Sequence, residues 1–132
     1  MDYNSIKISD GELNILKILW ENGALTVREI YELSILNKEK KVGYTTILKQ
    51  VQRMLQKGII KRNEQLNIHK YLAVVEENKI KNKLFNRLVN QVFKGSSTDL
   101  ILHALGQNGP SQEEVEEIKA ILLKKKEEND KQ

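Results

Sequence analysis

Lys40 to Arg62 reads KKVGYTTILKQVQRMLQKGIIKR, and the periodicity of this stretch decides the fold. At about 100° per residue, Ile47, Leu48, Val51, Met54 and Leu55 gather on one side of a helix, while Thr46, Lys49, Gln50, Arg53, Gln56 and Lys57 occupy the other. The polar side carries cations, amides and a hydroxyl, and no carboxylate. An ordinary solvated helix face mixes Glu with Lys, so this composition points to a polyanion. Arg can pair bidentately with guanine, Gln with adenine, Lys with guanine or phosphate, and Thr with a thymine methyl or a phosphate. The stretch is therefore a candidate DNA recognition helix, stopped by Gly58. Helix-turn-helix readers place the N-terminal part of this helix in the major groove. Thr45, Thr46, Lys49 and Gln50 are thus expected to read bases, and Arg53 and Lys57 to hold the backbone. Lys41 and Tyr44, at the start of the helix, are expected DNA contacts as well.

Two short helices precede this one. Ser9-Asp10-Gly11-Glu12 has the form of a capping box, and Leu13, Leu16 and Trp20, flanked by Ile15 and Leu19, then recur at helical spacing up to Asn22-Gly23. Trp20, the single tryptophan, is expected to anchor the core. Thr26-Val27-Arg28-Glu29 repeats the box and opens a second helix with Val27, Ile30 and Tyr31, ending near Asn37, before a polar connector over 37–41. Downstream, Ile59 to Arg62 and Ile68 to Val74 have strand-like composition and are separated by Asn63 to Asn67. Helix, helix, basic helix and hairpin spell a winged helix-turn-helix, mainly α with a small β-hairpin. Its wing would carry Arg62, Lys70 and Asn67 towards phosphates.

From Glu76 the pattern changes. Ile80, Leu84, Leu88 and Val92, with Phe85, Val89 and Phe93 on the adjacent row, predict a long helix ending at Lys94-Gly95. Ser96-Ser97-Thr98 caps a fifth helix with Leu100, Ile101, Leu102 and Leu105. Gly109-Pro110 breaks it, and Ser111 to Glu114 opens a sixth with Val115, Ile118, Ile121 and Leu122. Lys124-Lys125-Lys126 is expected to form the last turn, and the tail KKKEENDKQ to fray. Three amphipathic helices in so short a segment bury their stripes poorly by themselves. The segment is read as a helical dimerisation domain over 76–132, following a winged-helix domain over 1–75. Its expected contacts are Ile80, Leu84, Phe85, Leu88, Val92, Leu102, Leu105, Val115, Ile118 and Leu122. The alternative is that these stripes fold back onto the winged helix.

Composition narrows the function. The 132 residues are 39% hydrophobic and 30% charged, with no apolar run of membrane-spanning length and no signal-peptide layout at the N-terminus, so a cytoplasmic protein is expected. The absence of cysteine removes disulfides, thiolate metal sites and thiol nucleophiles. His69 and His103 stand apart from any ligand motif, and no glycine-rich phosphate loop occurs; neither metal, cofactor nor catalysis is expected. Residues 38–70 hold nine Lys or Arg against two Glu, a local charge of +7, whereas residues 76–132 sum to zero. Such a block fits duplex DNA.

Several strings resemble the penicillinase-repressor family of BlaI- and MecI-like proteins and their copper-responsive relatives. They are Ser9-x-x-Glu12 followed by ILKILW, Thr26-Val27-Arg28-Glu29-Ile30, Tyr44-Thr45-Thr46-Ile47, Leu55-Gln56-Lys57-Gly58, Tyr71-x-Ala73 and Phe93-Lys94-Gly95-Ser96. The resemblance covers almost the whole chain. It implies a homodimeric transcriptional repressor on a palindromic double-stranded DNA operator, released when a membrane sensor-protease leads to cleavage in the dimerisation region. Where such repressors carry an Asn-Phe scissile pair this chain has His103-Ala104, and it lacks the C-terminal cysteine pairs of the copper-responsive branch. Two other readings stay open: a winged helix that binds an acidic protein, and a repressor released by a small molecule held between the C-terminal helices.

Overall fold

The computed structural model describes residues 1–36, 42–64 and 67–131. Helix α1, Asp10–Asn22, begins at a complete capping box: Ser9 Oγ accepts the Glu12 N–H at 3.2 Å and Glu12 Oε1 accepts the Ser9 N–H at 2.9 Å. Helix α2, Val27–Ile35, opens on the same device between Thr26 and Glu29. Helix α3, Tyr44–Lys57, ends where Gly58 takes the left-handed conformation at φ 74°, which a side chain disfavours. Ile15, Leu16, Ile30, Ile47, Val51 and Met54 interlock where these helices meet.

The wing follows at once. Strands β1, Ile60–Asn63, and β2, Lys70–Ala73, pair antiparallel with Ile60 opposite Ala73 and Asn63 opposite Lys70. A single residue between α1 and α2 supplies a third edge: Leu25 and Tyr71 exchange both backbone hydrogen bonds, at 2.7 and 3.0 Å. Trp20 is half-buried against the core and donates its indole N–H to the Val75 carbonyl at 3.0 Å, so the anchor read from sequence also holds the wing's exit. The β2 strand is shorter than the Ile68 to Val74 expectation. Asn67 sits at φ 60°, a turn conformation, and Ile68 and His69 precede the ladder.

Helix α4, Glu77–Val92, begins where the Tyr3 hydroxyl accepts the Glu76 N–H. The chain divides into two compact units, Met1–Leu84 and Phe85–Gln132. The first turns of α4 therefore belong with the winged helix, past the boundary expected at Glu76. Ile80 is 1% exposed in that core, so it does not lie on a free face as the dimer reading expected, and Leu84 is partly buried against the same core. An apolar stripe cannot reveal in sequence which surface it meets.

The second unit continues with α5, Ser97–Gly106, and α6, Gln112–Asp130. Lys94 and Gly95, at φ 52° and 85°, turn the chain out of α4. The tail expected to fray is helical as far as Asp130, because Leu, Lys and Glu are good helix formers and Lys125 pairs with Glu128 across a turn. Lys124 to Lys126 accordingly lie inside the helix and not in its last turn. Among the described residues, no helix is long and apolar enough to cross a membrane.

Truncating Ile80→Ala is expected to destabilise the first unit by about 2–4 kcal/mol through the cavity it leaves. Urea unfolding followed by Trp20 fluorescence measures this, and a loss below about 0.5 kcal/mol would remove Ile80 from the core.

Candidate nucleic-acid interface

Packing of α3 through Ile47, Val51 and Met54 leaves Thr45, Thr46, Lys49, Gln52, Arg53 and Gln56 exposed on its outer side. Neither Lys49 nor Arg53 makes an ion pair or hydrogen bond with any described residue. Helical spacing sets Lys49 and Arg53 one above the other, with Thr45, Thr46 and Gln56 on the rows beside them. Gln52 was not among the expected contacts, although the same wheel places it beside Gln56.

Two expected contacts face elsewhere. Gln50 is half-buried, and its carboxamide lies over Gly11, where a Cβ on that residue would collide with it. It also lines a cavity of about 270 Å³ between α1, α2 and α3. Lys57 reaches back to α1: its Nζ donates to Glu12 Oε1 at 2.7 Å and to the Lys7 carbonyl at 2.9 Å. Gln50 and Lys57 fall on the flank of α3 next to Met54, and only the position of α1 decides that this flank is covered.

Glu12 itself is wholly buried, with Oε2 lacking a partner among the described residues. Burial raises its pKa, but the hydrogen bonds from Lys57 and Ser9 and the Lys57 charge outweigh that and hold it below the ordinary carboxylate value. The Lys57 charge is thus committed within the protein.

An aromatic contact lies at the start of α3. Gly43 at the N-cap provides no side-chain acceptor, and the Tyr44 ring meets the Tyr31 ring edge-on at 5.6 Å. Tyr44 remains exposed. Arg28, on α2, lies over both rings at 5.8 and 6.0 Å from their centroids. Sequence reading missed Arg28 because its nearness to α3 depends on how the two helices cross. On the wing, Lys61, Lys70 and Asn67 are exposed, while Arg62 pairs with Glu64 at 2.8 Å in a solvent-facing contact. Lys41 lies outside the described residues.

In the second unit, Phe85, Leu88, Val92, Leu102, Leu105 and Leu122 are exposed and Val115 and Ile118 half-buried. Neither α5 nor α6 has a fully buried residue among those described. His103 and Ala104 are exposed on α5, the His103 ring meeting Phe93 at 5.7 Å.

The model of the penicillinase repressor family matches residues 8–124, which takes in both units. The chain belongs to the penicillinase repressor family. It is accordingly a DNA-binding repressor with a winged-helix fold, and its relatives are repressors rather than enzymes. It is 32% identical over 125 residues to the methicillin resistance regulatory protein MecI of Staphylococcus aureus strain N315, covering 95% of this chain and all of that protein. The penicillinase repressor of Staphylococcus aureus is 29% identical over 122 residues, 92% of this chain and 95% of that one. Bacillus licheniformis has a penicillinase repressor 23% identical over 116 residues, 88% of this chain and 89% of its own. The solution structure of the DNA-binding domain of the repressor BlaI aligns with a TM-score of 0.47 at 23% identity, over 55% of this chain and 87% of that one.

Because Lys57 neutralises a buried carboxylate, Lys57→Met is expected to destabilise the protein by about 2–4 kcal/mol. Combined with Glu12→Gln, the two losses should fall short of additive by about 1–3 kcal/mol. Glu12 has a folded pKa below its unfolded value of about 4.3, so its contribution is complete above that pH and is lost as pH falls through the folded value. Denaturant melts from pH 6 downward check this, and a contribution unchanged through acid titration would contradict it.

Proposed function

We propose that the chain is a cytoplasmic homodimeric repressor that sets α3 of each protomer in the major groove of a palindromic operator, with the wing against the adjacent backbone. The observation that carries this reading is the outer face of α3. Lys49 and Arg53 stand exposed among Thr45, Thr46, Gln52 and Gln56, without a carboxylate on that face and without a partner among the described residues. Two cations and a row of amides presented from a rigid helix suit base edges and phosphates together. Thr45, Thr46 and Lys49 take the base-reading positions, Arg53 the backbone, and Lys61, Lys70 and Arg62 the wing contacts. Kinship to proteins named as a methicillin resistance regulator and penicillinase repressors favours an operator controlling antibiotic resistance.

Dimerisation is supported by the second unit. A helix such as α6, with Ile121, Leu122 and Leu123 each about 60% exposed, leaves too much apolar surface in water for a stable monomer. A second copy presents the same surface, and a two-fold assembly matches a two-fold site. Release by a sensor-protease acting at His103-Ala104 would require α5 to open locally, since both residues lie within that helix.

Selection of bound duplexes by the purified full chain is expected to return an inverted repeat with half-sites spaced by whole helical turns. Lys49→Ala should cost about 1–3 kcal/mol on the selected site, and the Lys49/Arg53 double alanine variant at least their sum for independent contacts. Full affinity in the double variant, or no duplex affinity in the wild type, would overturn the interface and favour a protein partner. Leu102→Glu and Leu122→Glu should each shift sedimentation to the monomer and weaken operator binding about 10- to 100-fold. Wild-type chain that sediments as a monomer at micromolar concentration would count against the dimer.

A further inference from the structure

Arg28 occupies the second position of α2, where the helix dipole disfavours a cation. Its one ion pair among the described residues, Nε to Glu32 Oε1 at 3.2 Å, joins two exposed side chains and runs Arg to Glu along the helix, the weaker orientation for a pair four residues apart. Helix stability therefore does not account for an arginine here. What distinguishes the residue is its setting: the guanidinium lies over the Tyr31 and Tyr44 rings, and Tyr44 is the first residue of α3. Two aromatic faces hold the group in place beside the recognition helix, while both Nη groups lack a hydrogen-bond partner among the described residues.

We infer that Arg28 is a phosphate clamp, gripping the DNA backbone through its Nη groups beside the start of α3 and so setting the depth and register of that helix in the groove. This rests on the duplex-binding reading above. In helix-turn-helix readers the helix before the recognition helix crosses the backbone, which is where the N-terminal turn of α2 would stand. A planar fork whose two Nη groups are unengaged by the described residues fits a phosphate's oxygens, and its preorganisation on the tyrosines reduces the entropy lost on binding. Glu32 competes for the same guanidinium, so it tempers the clamp.

The test measures affinity of the full chain for the selected operator and for a random duplex of equal length, across a salt series. Arg28→Ala is expected to weaken both about tenfold and to lower the log–log salt slope by about 1, the signature of one lost phosphate contact. Arg28→Lys should restore the slope but only part of the affinity. Glu32→Gln should tighten both duplexes about two- to threefold, a gain that follows from freeing the guanidinium and not from folding. An unchanged slope with lost affinity would make Arg28 a prop for Tyr44 and overturn the clamp, as would an unchanged affinity. If Lys49→Ala and Arg53→Ala lose binding while Arg28→Ala does not, the clamp falls and the interface stands. If none of them changes binding, the interface itself falls.

Discussion

The contact of Lys57 with the buried Glu12 carboxylate ties together three parts of the molecule. Glu12 completes the cap of α1 through Ser9, Lys57 stands in the last turn of α3, and the Lys7 carbonyl brings the N-terminal arm to the same ammonium. A carboxylate wholly removed from water has to be compensated where it sits. One residue thus serves local helix initiation and long-range helix placement together, and α3 cannot slide along α1 without uncovering the charge.

Once α3 is anchored in this way, the rest of its setting follows by geometry. Gly11 lets Gln50 lie flat against α1, and the edge-on contact of Tyr31 with Tyr44 steadies the other end of the helix. The outer row of Thr45, Thr46, Lys49 and Arg53 is what remains uncovered. Leu25 and Trp20 hold the wing by two backbone hydrogen bonds and one indole bond. The outer face of α3 is thus braced by contacts at both ends and along one flank.

The second unit is organised on the opposite principle. Val89 is its most deeply buried apolar side chain among those described, whereas α5 and α6 present apolar residues outward. The first unit completes its own core, and the second leaves much of its apolar surface exposed. The two units thus differ in how far each covers its own apolar side chains, and α4 runs through both.

Capping boxes, helical periodicity, glycine stops and the carboxylate-free row are local features, and each was legible in the sequence because it depends on residues a few positions apart. They determined the order of elements, the winged helix and the outer face of α3 that carries Lys49 and Arg53. Which flank of α3 turns to α1 was decided only by tertiary packing: Gln50 and Lys57 are as polar as the residues of the outer face, and nothing in their spacing says that Gly11 and Glu12 lie beside them. The same holds for Ile80, an apolar residue whose core is the winged helix, and for Arg28, whose place beside Tyr44 comes from the crossing of α2 and α3. The physical reason is common to all four. Periodicity reports which residues share a face, whereas contacts between elements distant in sequence decide what that face meets.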